Sequence, residues 1–139
     1  MSAHLQQKKE KLQEILSHLF EEAANGMPII VEGKKDADVL DVLGVRGKIV
    51  AAKSGGRSLL AVVTEVKESG ACGAILLLDH DRRGKEWTAR LKNLLEHEGI
   101  TPNTVYWAEL FGLVGREVKD VEGLASYMET LNSKISSDS

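Results

Sequence analysis

Ala74-Ile75-Leu76-Leu77-Leu78-Asp79-His80-Asp81-Arg82-Arg83-Gly84 decides the fold. A continuous apolar run, ended abruptly by acids and a glycine, reads as a strand of the buried type found in parallel sheets. The same wording occurs upstream, where Pro28-Ile29-Ile30-Val31 ends in Glu32-Gly33-Lys34-Lys35-Asp36. Two further short runs, Lys48 to Ala52 and Thr104 to Trp107, complete a set of four expected strands, the first two being Ile29 to Val31 and Gly73 to Leu78.

Amphipathic stretches separate these runs. Val39, Leu40 and Leu43 mark one expected helix, Leu59, Val62, Val63 and Val66 a second, and Trp87, Leu91, Leu94 and Leu95 a third. Gly44, Gly70 and Gly99 fall where left-handed helix ends belong. Strands that alternate with helices give an α/β fold with a mainly parallel sheet of about four strands flanked by helices.

Before the first strand, Leu5, Leu12, Ile15, Leu16, Leu19, Phe20 and Ala23 recur at helical spacing up to Asn25-Gly26. Residues 1–26 are therefore expected to form an amphipathic helix that covers the core, with a dimer contact as the alternative. After Trp107 the pattern lapses. Ala108 to Asp120 reads as a loop pinned by Phe111, Leu113 and Val114, or else as a lid. A last helix is expected from Asp120, a suitable N-cap, presenting Leu124, Tyr127, Met128 and Leu131. The main domain then spans 27–132, and residues 133–139, with serines from Ser136 to Ser139, form an expected disordered tail.

At 139 residues, 42% of them hydrophobic, the chain suits one domain. Its net charge of −3 gives no global attraction to polyanions, so any nucleic-acid contact must come from local charge or a metal. The single Cys72 cannot form an internal disulfide, and His4, His18, His80 and His97 do not share zinc-ligand spacing with it. No apolar run is long enough for a bilayer and the first residues are too polar for a signal peptide, so a soluble protein of the reducing cytoplasm is expected.

In a parallel sheet the carboxyl ends of the strands share one edge, where ligands bind. Glu32, Asp79 and Asp81 should meet there. Each alone could merely cap a helix. Together they repel one another and lose solvation, which a divalent cation would offset. Oxygen-only donors favour magnesium, or manganese, over zinc. Gly33 and Gly84 would shape the turns, and Lys34, Lys35, Lys53, Arg57, Arg82, Arg83 and Lys85 form an expected basic rim for phosphates at the same edge. Lys53-Ser54-Gly55-Gly56-Arg57-Ser58 would open a helix toward an anion, yet lacks the spacing of a P-loop or dinucleotide fingerprint.

Glu32-Gly33-Lys34-Lys35-Asp36, followed about 45 residues later by Asp79-His80-Asp81-Arg82-Arg83-Gly84, resembles the Toprim domain. That family includes type IA and type II topoisomerases, bacterial-type primases, OLD-family nucleases and the ribonuclease that matures 5S ribosomal RNA. The resemblance covers about residues 27 to 107 and is nearest to small stand-alone Toprim proteins similar to the Toprim portion of that ribonuclease. It implies a Toprim-type Rossmann-like three-layer sandwich. It also implies Glu32 as general acid/base or metal ligand, and Asp79 and Asp81 as magnesium ligands. Asp36 matches an acidic position of open role, for which the start of a helix is an equal explanation.

Topoisomerase chemistry lacks its nucleophile here: Tyr106 falls at an expected strand end and Tyr127 on an apolar helix face. Primase chemistry lacks zinc-ribbon cysteines. A magnesium-dependent nuclease or phosphotransferase acting on RNA or DNA is the leading expectation. The alternative is a non-catalytic, metal-dependent module that binds nucleic acid or a partner protein, although 4% aromatic residues supply few stacking platforms. Receiver and haloacid-dehalogenase-type sites fit poorly, because both want clustered acids after the first strand.

Overall fold

The computed structural model describes residues 2–138. Helix α1 (Ser2–Ala24) precedes β1 (Ile29–Val31), α2 (Lys34–Val42), β2 (Ile49–Ala51), a 3-10 turn (Ser54–Gly56) and α3 (Leu59–Glu68). Then follow β3 (Gly73–Leu77), α4 (Arg82–His97), β4 (Thr101–Asn103), α5 (Val105–Val114) and α6 (Val121–Asp138). The strands form one sheet in the order β2-β1-β3-β4, and every pair is parallel. Ile29 pairs with Ile49 on one side and Ile75 on the other, while Gly73 pairs with Thr101.

Alternation along the central strands builds two cores. Ile29, Val31, Ile75 and Leu77 face Leu12 and Leu19 of α1, Leu40 of α2, Leu110 and Val114 of α5 and Leu124 of α6. Ile30, Ala74, Leu76 and Leu78 face Leu59, Val62 and Val66 of α3 and Leu91 and Leu95 of α4. The result is a Rossmann-like three-layer α/β sandwich, as expected. Both central strands are buried on both faces, which is why their sequences run apolar without polar interruption. Each fully buried leucine or isoleucine contributes roughly 1.5–3 kcal/mol.

From β1 the chain turns through α2 to β2, on one flank. From β3 it turns through α4, on the opposite face, to β4 on the other flank. The carboxyl ends of β1 and β3 therefore border the topological switch point, where a crevice opens in sheets of this kind.

Three expectations change beyond residue 100. The fourth strand is Thr101–Asn103, not Thr104 to Trp107. Asn103 Oδ1 accepts a bond from the Val105 amide at 2.8 Å, which turns the chain straight into α5. The expected loop from Ala108 to Asp120 is mostly that helix: Tyr106, Leu110 and Val114 repeat every four residues and are buried together. Only residues 115–120 connect it to α6. Asp120 does cap the last helix, its Oδ1 accepting from Gly123 N at 2.6 Å. That helix continues to Asp138, through residues expected to form the tail.

Gly44, Gly70 and Gly99 close α2, α3 and α4 with φ of 99°, 81° and 74°, a conformation that suits glycine. Among the described residues no helix is long and apolar enough to cross a membrane.

Candidate functional site

β1 and β3 deliver Glu32 and Asp79 to the switch point. Glu32 is only 2% exposed. Its Oε1 accepts from the Asp79 amide at 3.4 Å, and its Oε2 lies 3.7 Å from Lys53 Nζ. Lys53 reaches this position because its own amide donates to Glu32 O at 2.8 Å, one step beyond the β1–β2 ladder.

The Asp79 carboxyl is pushed up to about 8. Burial is the largest cause, followed by the charge of Glu32, a hydrogen bond to it, and the charges of Asp36 and Asp120. Asp79 Oδ1 is buried with no hydrogen-bond partner. The fold thus disfavours the charged form of this carboxyl, a cost that a proton or another cation would offset.

Asp36 is buried and fully used. Its Oδ2 accepts from Gly33 N at 3.1 Å and its Oδ1 from Glu122 N at 3.0 Å. One carboxylate thus closes the first turn of α2 and the first turn of α6, and fixes the backbone next to Glu32. Both bonds lie at helix starts, the setting that the sequence offered as one explanation of this acid.

Asp81 stands at the same edge but is exposed, and its Oδ1 accepts from Gly84 N at 2.7 Å as the N-cap of α4. One carboxylate oxygen remains for another task. Gly84 is a steric requirement: a Cβ there would sit 1.9 Å from the Asp79 carbonyl oxygen. Gly33 is the extended N-cap of α2, with φ of −128°.

The basic residues divide. Lys34, Lys35 and Lys85 are exposed in the first turns of α2 and α4, on the side of the acids. Arg83 lies over the Trp87 ring at 4.5 Å. Arg82 pairs with Glu86 at 3.3 Å. Arg57 is drawn away: its Nη1 meets Glu65 at 2.6 Å, and Lys48 binds the same carboxylate at 2.9 Å. Lys48 first, then Arg57, hold the Glu65 carboxyl below its ordinary range. Arg57 therefore anchors the Ser54–Gly56 turn to α3, and α3 itself is capped by Ser58, which accepts from Ala61 N at 3.1 Å.

Sequence reasoning missed several neighbours. Asp120, read only as a cap, also acts on Asp79 through its charge. Trp107 donates from Nε1 to Leu78 O at 2.8 Å and so closes the end of β3. His80 stacks on Phe111 at 5.0 Å and leans on Trp107 at 5.2 Å. The helical period of Tyr106, Leu110 and Val114 was the signal that could have placed Trp107 and Phe111 on this face.

Among the described residues no group of three or more histidine, cysteine, aspartate or glutamate side chains is set to hold a metal ion. Glu32 and Asp79 instead offer two carboxylates, one with an orphaned buried oxygen. That donor set fits a hard cation that keeps water and takes substrate phosphate as further ligands, the habit of magnesium.

Fold and edge together define a doubly wound parallel α/β protein with a carboxylate pair at its switch point. The chain belongs to the UPF0292 family. It is 37% identical over 120 residues to the UPF0292 protein of Methanocaldococcus jannaschii, covering 86% of this chain and 91% of that one. The UPF0292 protein of Methanosarcina acetivorans is 34% identical over 125 residues, or 90% and 85% of the two chains. That of Archaeoglobus fulgidus is 30% identical over 119 residues, or 86% and 90%. No family model matches the chain. A solved structure of a protein from Aquifex aeolicus superposes with a TM-score of 0.60 at 24% identity, covering 81% of this chain and 94% of that one, and shares the fold.

Proposed function

We propose that this chain is a Toprim-type protein that acts on nucleic-acid phosphodiesters with magnesium, as a nuclease or other phosphotransferase. The observation that carries the reading is the meeting of Glu32 with Asp79, whose orphaned Oδ1 and raised pKa mark a carboxyl short of a cation. The wording of the two acidic motifs supports it from the sequence. Magnesium or manganese, when bound, would supply Lewis acidity at the scissile phosphate.

The protein's own groups do the rest. Glu32, buried and held by the Asp79 amide and Lys53, would take a proton from the attacking water or return one to the leaving oxygen. As the water oxygen bonds to phosphorus, the bond to the leaving oxygen breaks. Lys34, Lys35 and Lys85 orient the strand through its other phosphates, while Lys53 opposes the charge that gathers at Glu32. Asp36 and Gly84 keep the two acidic backbones in place. Asp81 contributes its cap and its remaining oxygen.

Two observations favour a second reading, a non-catalytic metal-dependent module within a larger assembly: Asp81 is engaged as a cap and Arg57 is engaged by Glu65. A second copy or a partner protein would then complete the surface. A lone exposed Cys72 accords with a reducing cytoplasm in either case.

The deciding experiment follows cleavage of labelled structured RNA and DNA with magnesium, with EDTA, and with Glu32→Gln. Turnover that needs the metal and falls by about 10²-fold or more in the variant is expected. Binding without turnover under every metal tried would select the second reading.

A further inference from the structure

Beside the acidic edge lies a cavity of about 600 Å³ that the scheme above leaves unused. Three separate stretches line it: Lys8 of α1, His80 of the segment after β3, and Phe111 to Leu113 with Gly115 to Glu117, at and just beyond the end of α5. Its cationic groups outnumber its acids. Lys8 is held by Glu117 at 3.3 Å and faces the Tyr127 ring at 5.4 Å, whereas Arg116 is exposed and has no ion pair among the described residues. Lys85 and Lys119, the latter bonded to Gly115 O at 2.8 Å, add positive charge around His80 against the negative charge of Asp81. The remaining wall is apolar, from Phe111 and Leu113, with open backbone at Gly112.

His80 joins this cavity to the site. Asp79 and Asp81 flank it in the chain, and its ring is clamped by Phe111 and Trp107. Its Nδ1 is buried without a hydrogen-bond partner and lies 3.5 Å from where a Cβ on Gly115, in the cavity wall, would sit.

We propose that this cavity is a nucleotide subsite, in which Arg116, Lys8 and His80 receive a phosphate monoester and Phe111 and Leu113 receive the attached nucleoside. The volume suits one nucleotide unit, and a mixed wall of cationic and apolar side chains is what such a ligand requires. Asp79 and His80 are consecutive, so the cavity adjoins the acidic pair along the chain. The inference rests on the nucleic-acid reading and deepens it: the substrate is a strand with a phosphorylated end.

The test uses the full chain in EDTA, so that it does not depend on a metal at the acids. Adenosine 5′-monophosphate, adenosine, inorganic phosphate and a 5′-phosphorylated dinucleotide are titrated while the His80 imidazole and Trp107 indole resonances are followed. The monophosphate and the dinucleotide should saturate both signals at about millimolar concentration or below, and adenosine should move neither. Arg116→Gln should weaken the monophosphate by about tenfold or more. Gly112→Leu, where an added Cβ meets no atom within 4 Å, should block it without harm to the fold. Equal response to adenosine and its monophosphate, inorganic phosphate binding as well as the nucleotide, or binding unaffected by both variants would overturn the subsite. Metal-dependent cleavage that persists after such a result would leave the acidic site standing alone. Nucleotide binding in a protein with no cleavage would do the reverse.

Discussion

Asp79→Asn isolates the energetics of the acidic pair. In the folded protein the Asp79 carboxyl titrates at about 8, against an ordinary value of 3.8. Between those values the native state keeps a proton that the unfolded chain releases, so this group's contribution to stability is complete below about pH 4 and is lost as pH rises through 8. Four units at about 1.4 kcal/mol each set a ceiling of about 6 kcal/mol. Asp79 is only partly buried and its edge opens to water, so screening leaves about 2–3 kcal/mol. Asparagine keeps the shape and cannot ionise. Urea unfolding at half-unit steps from pH 4.5 to 8.5 should show the variant gaining on the wild type by about 2–3 kcal/mol across the range, at no more than about 1.4 kcal/mol per unit. His80, lowered chiefly by burial, tilts both curves the opposite way, and the difference between them removes most of its effect. Parallel curves for the two proteins would refute the argument.

Gly84→Ala places a methyl group 1.9 Å from the Asp79 carbonyl oxygen and should destabilise by about 2–4 kcal/mol in urea unfolding, with loss of metal uptake. Asp36→Ala leaves the Gly33 and Glu122 amides without their acceptor, and the expected cost is again about 2–4 kcal/mol; Asp36→Asn, which keeps one acceptor, should lose less. Tyr106 donates to Glu22, and burial followed by that bond pushes its phenol up to about 12, so ultraviolet titration should find one tyrosine that resists ionisation at pH 11.

The apolar runs ending in Glu32 and Asp79 were enough to read the sheet, because strands buried on both faces carry no polar positions to confuse the pattern. The same runs fixed the edge on which the acids meet. Between Thr101 and Val114 the reading failed for a physical reason. Val105, Tyr106 and Trp107 are β-type residues, yet the Asn103 turn and the buried repeat of Tyr106, Leu110 and Val114 make them the start of a helix. Residue type prevailed over period in the sequence, and packing prevailed over residue type in the fold. The candidate site was legible in its place on the sheet but not in its contacts. Asp81 and Asp36 look alike in sequence as acids near glycines, and only coordinates distinguish an exposed cap from a buried link between two helices. Arg57 shared the expected edge, but Glu65 on the adjacent helix claims it, a contact between residues eight apart that no strand-end argument anticipates.

Manganese uptake by calorimetry at pH 8.5 tests the shared-cation claim most directly. One binding event is expected in the wild type, weakening as pH falls and Asp79 regains its proton, and absent from Glu32→Gln and Asp79→Asn alike. Heat of binding that survives both substitutions, or none in the wild type, would contradict it.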